Sequence, residues 1–141
     1  MTAVDRMAKG YQPNFDIDYA VGKQGELYVA SIIDAFAQDR VETKTDEKAL
    51  RYGHIYVEYE CRLFGGWQKS GIATTDSELW AVVIGSDTAV VTPTWRVREA
   101  ARRLWHQGGA FRRECVISSH PTKGVVIPLR RLFDELFQEV A

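Results

Sequence analysis

The fold is decided by two runs of alternating side chains within residues 41–61, which read VETKTDEKALRYGHIYVEYEC. Side chains on a β-strand point to opposite faces in turn, so the first alternating run predicts a strand over residues 40–45. The second run predicts a strand over residues 55–61, with Ile, Val, Tyr and Cys on one face and Tyr and Glu on the other. A turn region separates the runs, and we expect the two strands to pair as an antiparallel hairpin.

Such a hairpin gathers charged side chains on one face. Asp46 then lies opposite Glu58, and Lys44 lies opposite Glu60. Grouped carboxylates raise one another's pKa unless a cation neutralises them, and a hard cation such as Mg²⁺, or Mn²⁺ in its place, prefers oxygen ligands. The pattern therefore predicts a divalent-metal site. A solvent-facing hairpin whose charges only pair across the strands is the alternative that the residues leave open.

The remaining segments predict one α/β domain around a mixed sheet. Residues 1–21 are interpreted as an N-terminal arm, and residues 22–141 as a single domain. Hydrophobic periodicity and turn residues predict helices over residues 23–37, 95–105 and 129–139, and further strands over residues 79–84, 89–92, 114–117 and 125–128. Glu26 lies in the first turn of the first helix, where it either favours the helix dipole or serves as an extra metal ligand.

The order of these acids along the chain resembles the PD-(D/E)XK nuclease superfamily, whose members place an acid at a strand start and Glu-x-Lys on the next strand. Glu26 is similar to the acid of the preceding helix, Asp46 to the isolated aspartate and Glu58 to the first residue of Glu-x-Lys. The resemblance covers residues 22–105. It implies a restriction-endonuclease-like αβββαβ core with a mixed central sheet flanked by helices, and metal-dependent hydrolysis of DNA.

The chain departs from that family pattern at the lysine, because its motif reads Glu58-Tyr59-Glu60. Lys44 on the neighbouring strand is the candidate replacement, with Lys44 or Glu60 assisting the attacking water. A competing register exists in Glu42-Thr43-Lys44, but no aspartate precedes it at a suitable distance. The sequence therefore predicts Lys44, Asp46, Glu58 and Glu60 as catalytic residues, and Asp46, Glu58 and Glu26 as metal ligands.

Positive charge is concentrated in one region although the net charge is −1. Residues 96–113 carry six arginines, opposed only by Glu99. Because nucleic acids are bound largely through their phosphates, this segment and the polar loop before it predict a DNA-contacting surface. The residues assigned to it are Lys69, Ser70, Arg96, Arg98, Arg102 and Arg103. A solvated charged helix face is the alternative.

Size and composition exclude several other classes of protein. A chain of 141 residues with 45% hydrophobic and 26% charged residues has the balance of a globular domain. Its apolar runs are too short to span a bilayer, and no signal-peptide pattern opens it. The two cysteines show no Cys-x-x-Cys spacing and are expected to be free thiols in a reducing cytoplasm. The size of such a nuclease implies a homodimer.

Two functions of another class remain beside the nuclease. The missing family lysine favours a non-catalytic nucleic-acid- or protein-binding module on a degenerate nuclease fold. An interaction domain with an ordinary charged hairpin is expected if Glu26 is solvent-exposed and remote from Asp46.

Overall fold

The computed structural model describes residues 13–116 and 119–138. The chain divides into two compact units, the first ending at Gln38 and the second beginning at Asp39. The first unit contains helix α1 (Pro13–Ala37), so the predicted boundary between residues 21 and 22 falls inside a helix. The part of the predicted arm over residues 1–12 lies outside the described residues. Within the described ranges, no helix combines the length and the apolar character needed to cross a membrane.

The second unit holds all the strands found in the described part of the chain. The strands are β1 (Val41–Asp46), β2 (His54–Leu63), β3 (Gly66–Lys69), β4 (Leu79–Ile84), β5 (Thr88–Pro93), β6 (Arg112–Cys115) and β7 (Thr122–Pro128). The helices are α2 (Ala49–Tyr52), α3 (Thr94–Gln107) and α4 (Leu132–Leu136), with 3₁₀ turns at Gly71–Ala73, Gly109–Phe111 and Leu129–Arg131. The predicted α/β class is confirmed.

The strands form two sheets, so the prediction of one mixed central sheet is wrong. The first sheet has the order β1-β4-β5 and is mixed, because β1 runs parallel to β4 and β5 runs antiparallel to it. The second sheet has the order β3-β2-β7-β6 and is antiparallel throughout.

The predicted hairpin of β1 with β2 is also wrong. Every residue of β1 pairs with β4, from Val41 beside Leu79 to Asp46 beside Ile84. Strand β2 pairs instead with β7 and β3. The physical reason is burial: β7 offers a run of three buried aliphatic residues, 125–127, to β2, whereas β1 has a single apolar residue.

Helix α3 closes the core of the second unit. Its predicted buried stripe of Val97, Ala101 and Leu104 is confirmed, since all three side chains are fully buried. They belong to one hydrophobic cluster with residues of β2, β4, β7 and α4. The same cluster includes Val57 and Val82, so the packing that stabilises the unit also holds β2 and β4 beside each other.

Candidate active site

A cavity of about 340 Å³ lies between the end of β1 and the first half of β2. It is lined by Lys44 and Asp46 from β1 and by Glu58 from β2. The apolar part of its wall comes from Val57, Ile72, Trp80 and Val82. Three of the four predicted catalytic residues are therefore brought together, although their strands do not pair. The short connection through α2 carries the chain from the end of β1 to the start of β2.

Asp46 ties these two strands to each other. Its Oδ2 accepts a hydrogen bond from the backbone N–H of Tyr56, 3.1 Å away, and its Oδ1 accepts one from the backbone N–H of Lys48 at 3.2 Å. The two bonds hold the carboxylate in a defined orientation at the cavity. Each carboxylate oxygen can accept more than one bond, so both retain capacity for a cation.

Glu58 differs from Asp46 in having no such structural bond. Its side chain is half-buried, and among the described residues its carboxylate has neither a hydrogen-bond partner nor an ion-pair partner. The turn at Gly71 packs directly on its backbone: a Cβ at Gly71 would lie 2.5 Å from the Glu58 carbonyl oxygen. Gly71 also has φ +52°, so this approach requires glycine. The close packing fixes the Glu58 backbone while its carboxylate remains available.

Lys44 forms an ion pair within its own strand. Its Nζ lies 2.7 Å from Glu42 Oε1, on the neighbouring position of the same face. The predicted contact of Lys44 with Glu60 is wrong, because Glu60 pairs with Lys69 of β3 and Lys123 of β7 and does not line the cavity. The pairing of β2 with β3 and β7, in place of β1, accounts for this difference.

We expect Lys44→Met to raise the pKa of Glu42. Burial of the Glu42 carboxyl favours its neutral form, but the hydrogen bonds from Lys44 and Thr75, with the charge of Lys44, outweigh burial and hold its pKa below the usual range. When folding lowers the pKa of a carboxyl group, the group stabilises the folded state at any pH above its pKa in the unfolded chain. This stabilisation is lost as the pH falls through the pKa that the group has in the folded protein.

The variant should therefore lose less stability on acidification than the wild type, by about 0.5 kcal/mol for a partly exposed pair. Urea unfolding at about pH 7 and about pH 3 measures this difference. An unchanged Glu42 titration in carboxyl NMR would contradict the assignment.

Tyr56 also lines the cavity and remains a neutral phenol. Burial raises its pKa, and the charges of Cys115, Glu58 and Glu114 add to this rise, against a lowering contribution from the hydrogen bond with Thr122. The Tyr56 hydroxyl lies 2.8 Å from Thr122 Oγ1. Tyr56 therefore lines the cavity with a phenol whose neutral form is favoured.

The donor set at the cavity consists of two carboxylates. Among the described residues, no group of three or more His, Cys, Asp or Glu side chains is arranged to hold a metal ion. Mg²⁺ commonly keeps several waters and is bound through one or two carboxylates together with substrate phosphates, so Asp46 and Glu58 fit its chemistry. Glu26 forms an ion pair with Lys23 at 2.8 Å on α1 and its side chain is 67% exposed. The role of Glu26 as a third metal ligand stays a prediction.

All four arginines assigned to DNA bond to the protein itself, and three of them bond to segments outside α3. Arg98 donates to the carbonyl oxygens of Ile72, at 3.0 Å, and Thr75. Arg103 is bonded to Glu135, and Arg96 donates to the Leu136 carbonyl oxygen at 3.2 Å. These guanidinium groups position the turn beside the cavity and the C-terminal helix.

The other residues assigned to DNA are dispersed. Arg102 is 52% exposed and paired with Glu99 at 2.9 Å. Lys69 is exposed on β3, opposite Glu60. The Ser70 Oγ is buried without a hydrogen-bond partner in the part of the chain that the structure describes. A continuous row of free cations along α3 is therefore not formed.

Sequence reasoning missed Tyr56, Gly71 and Trp80 as residues that line the cavity. Their contribution comes from contacts between segments distant in sequence, so no local pattern indicates it. A scan against protein-family models and searches of curated proteins and of solved structures found no match to this chain.

Proposed function

We propose that this protein is a divalent-metal-dependent nuclease that hydrolyses DNA phosphodiester bonds. The observation that supports the proposal is the convergence of Lys44, Asp46 and Glu58 on one cavity from two unpaired strands. Nucleases of the PD-(D/E)XK type combine an aspartate, a glutamate and a lysine, and some members carry the lysine on a neighbouring strand. A homodimer, which would offer a second copy of this cavity to the other DNA strand, is part of the proposal.

Each residue has a distinct part in the proposed reaction. Asp46 and Glu58 would hold Mg²⁺ or Mn²⁺, which when bound lowers the pKa of a water and stabilises charge on a phosphoryl oxygen. Lys44 would exchange its pairing with Glu42 for the phosphate and balance the negative charge that develops there. The apolar wall that includes Ile72 and Trp80 lowers the local dielectric, so these charges act more strongly than in water.

Metal dependence is the first test. Labelled DNA, supplied both as single strands and as duplex, should show cleavage in Mg²⁺ or Mn²⁺ and none in EDTA, because two carboxylates and a lysine provide no nucleophilic water without a cation. Calorimetric titration with Mn²⁺ should show a specific site, and light scattering should give the mass of a dimer. A folded protein that neither binds Mn²⁺ nor cleaves DNA would refute the proposal.

A second candidate is a non-catalytic module that binds nucleic acid or protein. Two observations favour it: both Asp46 oxygens accept backbone hydrogen bonds, and Lys44 is paired with Glu42, so two of the three residues have structural partners. On this hypothesis, DNA or a protein partner binds equally well in Mn²⁺ and in EDTA, and calorimetry detects no specific metal site.

A further inference from the structure

A second cavity, of about 430 Å³, adjoins the candidate active site. It lies on the face of β2 that carries His54 and Tyr56, towards β6. Asp46 and Tyr56 line both cavities, so the two are neighbours that share these residues as a common wall. Its wall and rim also include Lys48, Tyr52, His54, Arg113, Glu114 and Val126.

The walls of this cavity are aromatic and aliphatic, with charge at the rim. The Tyr52 and His54 rings are stacked, with their centroids 6.1 Å apart and their planes inclined by 17°, and together they form an aromatic wall. Val126 provides aliphatic wall. Exposed Lys48 and Arg113 bring positive charge and Glu114 brings negative charge, so the rim can bond polar groups of either type. Planar apolar faces with polar edges are the features of a nucleobase.

We propose that this cavity binds the nucleobase next to the phosphate that is cleaved at Asp46. The inference rests on the proposed nuclease function and names its substrate class. Asp46 lies between the two cavities, since it lines both of them. A strand with one phosphate at Asp46 therefore directs its adjacent base along Tyr56 towards Tyr52.

The substrate that fits is a strand whose base is unpaired. A base inside a duplex is stacked on both faces and paired at its edge, so it enters such a cavity only after leaving the helix. Stacking on aromatic side chains tolerates every base, because each base has a π-face. We therefore assign single-stranded or unpaired DNA as substrate, without preference for sequence.

The test compares two probes in EDTA, where cleavage plays no part. Calorimetry measures the binding of deoxyadenosine 5′-monophosphate and of deoxyribose 5-phosphate, which lacks the base. We expect the nucleotide to bind at least about tenfold more tightly than the sugar phosphate. This difference lies within the gain in affinity that stacking on one aromatic side chain provides. Tyr52→Ala should weaken nucleotide binding about tenfold and leave sugar phosphate binding unchanged.

Phe133→Ala is the matched control, because Phe133 is 62% exposed, Tyr52 is 55% exposed, and Phe133 lines neither cavity. Equal binding of the two probes, no binding of the nucleotide, or an unchanged affinity in folded Tyr52→Ala would each overturn the inference. Nucleotide binding in a protein that cleaves no DNA would refute the nuclease proposal alone. Metal-dependent cleavage at equal rates on single-stranded and duplex DNA would refute the nucleobase cavity alone.

Discussion

Glu58→Gln is expected to lower metal-dependent DNA cleavage by about 10³-fold while leaving the free energy of unfolding unchanged. The amide is nearly the same size as the carboxylate but carries no charge, so it replaces an anionic metal ligand with a weaker neutral one without creating a cavity. Metal-ion catalysis contributes several kcal/mol, and about 4 kcal/mol corresponds to this loss of rate. Stability is retained because the Glu58 carboxylate has no partner among the described residues. Single-turnover cleavage assays and urea unfolding measure the two effects.

The matched control is Glu47→Gln, since Glu47 is exposed and lines neither cavity. It should cleave DNA at the wild-type rate and bind Mn²⁺ normally. Glu58 is a sharper test than Asp46, because Asp46→Ala also removes two backbone hydrogen bonds and confounds activity with stability. Wild-type cleavage by Glu58→Gln would show that this carboxylate is not a metal ligand.

Arg103→Met is expected to destabilise the protein by about 3 kcal/mol, the lower end of the cost of breaking a buried ion pair. Arg103 lies 2.8 Å from Glu135 Oε2 and 2.7 Å from the Glu135 carbonyl oxygen, and the Glu135 side chain is only 2% exposed. Removing the guanidinium leaves the buried Glu135 carboxylate with one fewer hydrogen-bond donor and with less positive charge beside it. Arg131, 2.6 Å from Glu135 Oε1, remains and limits the loss. Urea unfolding at neutral pH measures the change.

Arg102→Met is the control for this prediction. Arg102 is the neighbouring residue on α3, is half-exposed and pairs with Glu99 at the surface, so its loss should change stability by no more than about 0.5 kcal/mol. If the two variants are equally stable, Glu135 does not depend on Arg103. If both instead reduce DNA affinity without affecting stability, the original assignment of these arginines to DNA is retained.

Local elements were predictable from the sequence because near neighbours determine them. The apolar run of β4 was predicted with the bounds observed, Leu79–Ile84, and the buried stripe of α3 was predicted correctly. A period of two or of 3.6 residues specifies a strand or a helix face wherever the segment is placed. The face of β2 that carries Glu58 was readable for the same reason.

Strand partners and side-chain partners were decided only by the tertiary structure. The alternation of β1 is compatible with several neighbours, and its pairing with β4 follows from which apolar runs must be buried against each other. Arg103 looks like its exposed neighbour Arg102 in the sequence, and only the position of α4 gives it a buried carboxylate.

The candidate site depends both on the local sequence pattern and on the tertiary structure, as Lys44, Asp46 and Glu58 show. Their residue types and their faces could be read from the alternating segments, whereas their meeting at one cavity depends on how two sheets place the end of β1 beside β2. The sequence by itself determined which side chains share a face where a strand is uninterrupted, but it did not indicate the register shift between Glu58 and Glu60. Long-range burial decided which faces meet, because the free energy of burying apolar surface depends on segments far apart in the chain.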